Sequence, residues 1–407
     1  MSYGYVVVGG GIHGTHVAHR LVSETDLEPQ DLAILEPRGE LLASFREKAR
    51  ACGMGTLRSP FVHHLGVEPF DLRDFAEARD REEELRPAPD HPRRPSLSLF
   101  LDHARHAIER SGIDALVIEA AATGIDREGN RLRIDTEEGP IRAERCVLAV
   151  GQGPPRQPDW ARGLSEDAPL SHVWDESVPI DEREPAGRVC VVGGGVTAAH
   201  LAVNLAERAP VTLLARHELR AAGVEADPPW INWRRMERRL HPLPPGSETR
   251  LERVRRAHNT GSIPPSLLRE VEAAGERGKL RVRRGEVEAA HAGGEEVVLR
   301  LTDGSVDRFR RAICATGFDR ASDHPLVERV AASLGLETGV DGLAVLDDRS
   351  LEWRTVEDSE GSGVFVTGAL GALTFGPLAG TIAGARRGAD RLVEVHGRRS
   401  AEPILAD

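Results

Sequence analysis

A short apolar strand that runs into closely spaced glycines and then a helix occurs twice in this chain, and that pairing constrains the fold more than any other feature. Tyr5 to Val8 leads into Gly9, Gly11 and Gly14, and Val189 to Val192 leads into Gly193, Gly195 and Ala198. Both fit G-x-G-x-x-G/A, with Ile12 and His13 inside the first loop and Val196 and Thr197 inside the second. Such a loop lets backbone N–H groups and a helix N-terminus meet a pyrophosphate. Glycine makes up 42 of 407 residues, so a bare match would mean little. The β-branched run before each loop, and the apolar-periodic helix and second strand after it, carry the assignment. Two dinucleotides are implied.

The second strands end differently, and their ends distinguish the cofactors. Leu32 to Leu35 leads into Glu36, a carboxylate able to accept hydrogen bonds from both hydroxyls of an adenosine ribose. That suits FAD. Val211 to Ala215 leads instead into Arg216, with Arg220 close behind, where a guanidinium would meet a 2′-phosphate. That suits NADPH.

Composition narrows the class. The formal net charge is −12, which argues against a general nucleic-acid surface, and 40% hydrophobic content is enough for sizeable cores. No stretch reads as a membrane span or signal peptide, so the expectation is a cytoplasmic protein acting on a small molecule, with self-association left open. Four cysteines stand at 52, 146, 190 and 314 without metal-ligand or C-x-x-C spacing, so no metal is expected. Cys146, Cys190 and Cys314 fall inside apolar strands. Cys52, in Ala-Cys-Gly-Met-Gly, falls in a loop.

The fold expected is α/β: two Rossmann-like dinucleotide-binding domains, each a three-layer ββα arrangement, with a small helical insertion. Residues 1–165 form the first part of the FAD domain, 166–310 the NAD(P) domain, and 311–407 the return to the FAD domain. The insertion lies near 229–274, with helical patterns over 230–240, 248–258 and 265–276. Ser96 to Gly112 reads as a helix with a serine cap, and Arg86 to Pro92 as an exposed loop. An acidic link covers about 166–184, a hairpin turns at Asp303-Gly304, and a glycine-rich helix starts near Pro377.

On these motifs the chain resembles the two-dinucleotide-binding-domain flavoproteins. Ala149-Val150-Gly151 and Ala315-Thr316-Gly317 stand where that family crosses between domains on A-T-G strand ends. The resemblance places Gly151, Thr316, Gly317, Gly368, Pro377 and Leu378 at the cofactors. Gly163, His172 and Trp174-Asp175 are similar to the linker of class B flavin monooxygenases. Arg256 to Gly261 followed by Ile263 is similar to the asparagine-centred segment of lysine and ornithine N-hydroxylases. There Asn259 would lie near nicotinamide and substrate, and the reaction implied is oxygenation by O2 through a flavin hydroperoxide.

Arg58, His63 and His64 are the nearest polar candidates for the flavin face. Two alternatives stay open. Ser44-Phe45 with Cys52-Gly53 is similar to the Ser-Phe-x-x-Cys-Gly of single-cysteine flavoprotein disulfide or peroxide reductases, with longer spacing, which would make Cys52 an electron relay. The third reading is a redox sensor that binds both nucleotides without turnover.

Overall fold

Val189–Val192 is apolar on both faces because it runs in the middle of a parallel sheet, and the two faces meet different layers. Val189 and Val191, with Leu213 and Ile313 of the neighbouring strands, pack on the helices Val196–Ala206 and Pro265–Glu276. Cys190, Leu214 and Ala312 face a three-stranded meander of Val287–Gly293, Glu296–Leu301 and Val306–Phe309. This is a ββα sandwich. In the parallel layer Val189–Val192 lies between Val211–Ala215 and Arg311–Cys314, with Leu280–Arg284 and Leu170–His172 at the edges.

The first domain repeats the plan. In the computed structural model, which describes residues 2–88, 91–165, 167–175, 187–357 and 361–397, Ser2–Val8 runs parallel to Leu32–Leu35 on one side and Ile141–Leu148 on the other. Val364–Val366 closes the far edge beside Ile141–Leu148. The helices Ile12–Glu24 and Ile382–His396 pack together over one face. Ala122–Glu128 and Arg131–Thr136 extend Ile141–Leu148 into an antiparallel meander under the helix Pro325–Ser333. The α/β fold with two such sandwiches is therefore present.

Several local expectations shift. The helix Leu97–Ser111 is capped by Ser96, whose Oγ accepts from Leu99 N at 3.0 Å, and it ends on Gly112 in the left-handed region at φ +66°. The stretch read as an exposed loop is instead a hairpin, Leu85–Ala88 against His91–Pro95; Pro89 and Asp90 lie outside the described residues. Its alternation is masked by Pro87, which sits at a register irregularity between Arg86 and Ala88, and by Pro92 and Pro95 in the partner strand. The terminal helix begins at Ile382, because Gly376–Leu378 is a tight 3-10 turn, and its cap is Thr381.

The acidic link is described only in part, since residues 166 and 176–186 lie outside the described residues; Leu170–His172 pairs with Arg311–Cys314. That pairing keeps Arg311–Cys314 in the second sheet, so the return crossing follows Cys314 rather than starting at 311.

The insertion also divides. Trp233–Arg239 and Glu248–Ala257 gather Trp230, Met236, Leu240 and Val254 into a small core, and Trp233 meets Phe375 of the first domain edge-on at 6.1 Å. Arg250, 1% exposed, fixes them there through both oxygens of Asp348 at 2.8 Å and the carbonyl of Leu373 at 3.1 Å. The third helix, Pro265–Glu276, belongs to the helical layer of the second domain instead.

Candidate functional site

Gly11 and Gly195 at the two helix N-termini carry no side chain to cap them, so among the described residues no cap side chain stands between the first-turn backbone N–H groups and a ligand. A Cβ on Gly14 would lie 1.7 Å from Gly9 O, and one on Gly9 2.5 Å from Ala149 O, whereas a Cβ on Gly11 meets nothing within 4 Å. Tight packing below and open space above is what a pyrophosphate cradle requires. The second loop repeats it: a Cβ on Gly193 would lie 2.4 Å from Ala315 O, and Gly195 is open. Ala198 stands buried in the place of Gly14.

Behind the first loop Glu36 is buried, its carboxylate accepting from Gly10 N at 2.9 Å and Arg38 N at 3.1 Å. His13, also buried, binds Thr367 Oγ1 through Nδ1 at 2.8 Å, and among the described residues its Nε2 has no partner. Burial holds its pKa down at about 4, so the ring is neutral at pH 7. The ring lies 3.8 Å from where a Cβ on Gly368 would stand.

Between the two domains opens a cleft of about 1750 Å³. It is lined by Ile12, Gly193, Gly195, Val196, Thr197, Arg216, Arg220, Thr316, Gly317 and Pro377 of the expected cofactor residues, and by Arg58 and Asn259 of the expected catalytic ones. Gly9, Gly11, His13, Gly14, Glu36, Gly151, Ala198 and Gly368 lie outside its lining. Leu378 does not face the cleft either, being packed with Ala226 and Ala383. Gly151 is exposed at φ +79° beside Gln152, which does line the cleft.

Three expected catalytic residues need correction. His64 is fully buried: its Nε2 lies 3.2 Å from Pro69 O and its Nδ1 accepts from Gly66 N at 3.0 Å. His63 lies outside the cleft lining, and burial with Arg386 and Arg387 nearby brings its pKa down to about 4. Arg386 of the terminal helix draws this loop inward by donating to the carbonyls of His64 at 3.0 Å and Gly66 at 2.8 Å. Arg58 reaches the cleft, but its guanidinium is taken up by Ala222 O, Val224 O, Ser262 O and Ser262 Oγ at 2.8 to 3.2 Å. His64 and His103 also bring ligand atoms within 4.8 Å of Asp71, but Arg386 Nη1 stands 3.5 Å from His64 Nδ1, a poor setting for a metal cation.

Asn259 lines the cleft, with Nδ2 donating to Val224 O at 3.1 Å. Cys52 is not in a loop that faces a cofactor. It ends the helix Ala43–Ala51, is 1% exposed, donates to Ala49 O at 3.4 Å, and burial pushes its thiol up to about 11. The other three cysteines are buried as well.

Sequence reading missed several lining residues. Arg284 ends the strand beside Val211–Ala215, register Ala215↔Arg284, which puts it next to Arg216; only the strand pairing reveals that. Trp174 stacks on Phe318 with rings 6.0 Å apart and 10° from parallel, and both, with Trp160, wall the cleft. Among the described residues no helix is long and apolar enough to cross a membrane.

Residues 6–153 match the profile of the FAD-NAD(P)-binding family. The fold is that of the FAD/NAD(P)-binding flavoproteins. Ornithine N-hydroxylase of Kutzneria sp. 744 superposes with a TM-score of 0.77 at 18% identity, covering 97% of this chain and 99% of that one. The cadaverine monooxygenase of desferrioxamine biosynthesis from Erwinia amylovora gives 0.74 at 15% identity over 97% and 94%. Bacillithiol disulfide reductase of Bacillus cereus gives 0.60 at 17% over 97% and 99%, so this flavoprotein fold also carries thiol chemistry. No curated protein matches the chain in sequence.

Proposed function

We propose that the protein is an FAD-dependent, NADPH-preferring monooxygenase that uses O2 on a small molecule. The observation that carries this reading is the single cleft joining the second glycine loop, the first helix at Ile12 and the Asn259 segment, so that both dinucleotides would meet where Asn259 stands. The chemistry supplied at the loaded site is hydride transfer from NADPH to FAD followed by reaction with O2. The chain's own part is placement and exclusion of water. Gly9 to Gly14 and Glu36 would hold FAD, and Gly193 to Ala198 the second pyrophosphate. Trp174, Phe318 and Trp160 wall the cleft with apolar surface. Asn259, its Nδ2 held by Val224 O, has its Oδ1 left to accept from nicotinamide or substrate. Amines are the first substrates to assay, since two neighbours are named for ornithine and cadaverine. The test is NADPH oxidation followed with O2 uptake: hydroxylated product supports the reading, and stoichiometric peroxide with every amine and other acceptor tried counts against it.

Coenzyme preference rests on Arg216 and Arg284. Arg216 is largely exposed, and its contact with Glu286 is loose at 3.8 Å, so its guanidinium is available to a 2′-phosphate. Arg216→Ala is expected to weaken NADPH by about tenfold to a hundredfold, from roughly 1.5 to 3 kcal/mol for a charge-assisted contact, and to spare NADH. Equal losses for both coenzymes, measured as KM, would return Arg216 to the ordinary surface.

The thiol-relay reading predicts the opposite pattern of mutational damage. A relay cysteine needs access and a thiolate, and Cys52 has neither. Cys52→Ser should therefore leave NADPH oxidation within a few-fold of wild type, while Asn259→Ala should be the more damaging change. A dead Cys52→Ser beside a healthy Asn259→Ala, in the same steady-state assay, would promote the reductase.

A further inference from the structure

Ala222, Gly223 and Val224 follow the two-residue strand Arg220–Ala221, which pairs with Ser262–Ile263 of the second domain. Their three consecutive carbonyls all accept from arginines of the first domain. Arg58 Nη2 donates to Ala222 O at 3.0 Å and Val224 O at 2.8 Å, and Arg94 Nη2 donates to Gly223 O at 2.5 Å. Arg94 is 5% exposed and rises from the hairpin strand His91–Pro95. The ring of His91 fills the space beside Gly223, where a Cβ would come within 2.4 Å of its Nε2.

Val224 O and the Ser262 hydroxyl also hold Asn259. Val224 O accepts from both Arg58 and Asn259 Nδ2, Ser262 Oγ accepts from Arg58 Nη2 at 2.8 Å and donates to Asn259 O, and Asn259 N donates to Glu225 O at 2.7 Å. These carbonyls are half-buried, and their side-chain donors come from across the cleft. We infer that Arg58 and Arg94 are an inter-domain clamp that sets the orientation of the second domain and, through Val224 and Ser262, the side-chain position of Asn259. Arg58 is thus a positioning residue rather than a catalytic one.

A fork of fixed geometry suits this work. Nη2 of Arg58 meets Ala222 O, Val224 O and Ser262 Oγ, and Nη1 meets Ser262 O; both nitrogens stand one bond farther from Cα than a lysine Nζ reaches, and a lysine has no second nitrogen for the fourth acceptor. Arg58→Lys should therefore fail to rescue what Arg58→Gln loses.

The inference rests on the reading that nicotinamide meets flavin in this cleft, and the experiment keeps the two apart. FAD-loaded wild type, Arg58→Gln, Arg58→Lys, Arg94→Gln, Asn259→Ala and the Arg58→Gln/Asn259→Ala double variant are mixed anaerobically with NADPH, and flavin reduction is timed. Binding of 2′,5′-ADP reports the adenosine end alone. Expected are a reduction rate about tenfold lower or more for Arg58→Gln, the cost of an ångström-scale misplacement, an unchanged 2′,5′-ADP affinity, and a double variant no slower than the slower single one.

Spin labels at Ala115→Cys and Arg281→Cys, one exposed site on each domain, give a readout free of catalysis, since the native cysteines are buried. Their distance distribution should broaden in Arg58→Gln and less so in Arg94→Gln, which loses one bond. Wild-type reduction rate or an unchanged label distance in Arg58→Gln would overturn the clamp. Should wild type itself not be reduced by NADPH, the functional reading fails and the label distances alone decide the clamp.

Discussion

Gly11→Val is expected to give a folded but colourless protein, and Gly14→Val an unfolded one, although both sit in the same glycine loop. Gly11 has φ −72°, an ordinary value for valine, and a Cβ there meets nothing within 4 Å, so the chain itself has no reason to object. The space the side chain fills is the space above the helix N-terminus, where the pyrophosphate must lie. At Gly14 the added carbon would come within 1.7 Å of Gly9 O, a backbone clash between strand and helix that no rotamer relieves. Gly195→Val carries the same logic to the second loop: the protein should stay yellow and lose NADPH binding. Circular dichroism with the flavin absorbance of the purified variants checks the first two, and an NADPH titration of the yellow Gly195→Val protein checks the third. A Gly11→Val protein as yellow as wild type would remove FAD from the first loop.

How much of this was legible in the sequence follows from which interactions are local. Strand, glycine loop and helix are contiguous, so both loops and the residues at the ends of the second strands could be read directly, as could the serine cap at Ser96 and the Asp303-Gly304 turn. Asn259 was legible only through resemblance to a family segment. The histidine pair was misplaced because its environment is set by Arg386, more than 300 residues away, which pulls the loop under the terminal helix. Arg58 was assigned to chemistry because a cationic side chain in a glycine-containing loop reads as a site; its partners, at 222, 224 and 262, are separated from it by a whole domain. Arg284 was invisible for a related reason, since a strand's register with its neighbour is not written in the strand. Local grammar placed the two glycine loops, and long-range pairing decided what surrounds them.

Long-range burial also carries the second large effect, acid lability. His64 and His103 meet edge-on at 5.1 Å beneath the terminal helix, faced by His63, His106, Arg386 and Arg79, with His19 and Asp71 close by. Burial foremost, then neighbouring positive charge, lowers the pKa of His64 to about 2 and of His103 to about 3, and lowers that of His16 in the same direction. The unfolded chain protonates these rings near 6.5, so below that pH it binds protons that the folded state refuses. Stability from these groups is therefore full above about pH 6.5 and falls as pH drops toward the folded values. Each ring contributes roughly 1.4 kcal/mol per pH unit in that window. The unfolded rings are half protonated at pH 6.5, so His64 and His103 together remove about 3 kcal/mol between pH 6.5 and 5, a large share of the 5 to 15 kcal/mol typical of a folded domain. Urea denaturation of the FAD-loaded protein at pH 7.5, 6.5, 5.75 and 5 should show the decline. His103→Leu keeps the volume, removes one titrating ring whose Nδ1 has no partner among the described residues, and should flatten the slope by about 1.4 kcal/mol per pH unit. Carboxylates titrate alike in both proteins and cancel in the comparison, so identical slopes would mean that His103 is already protonated, or not buried, in the folded state.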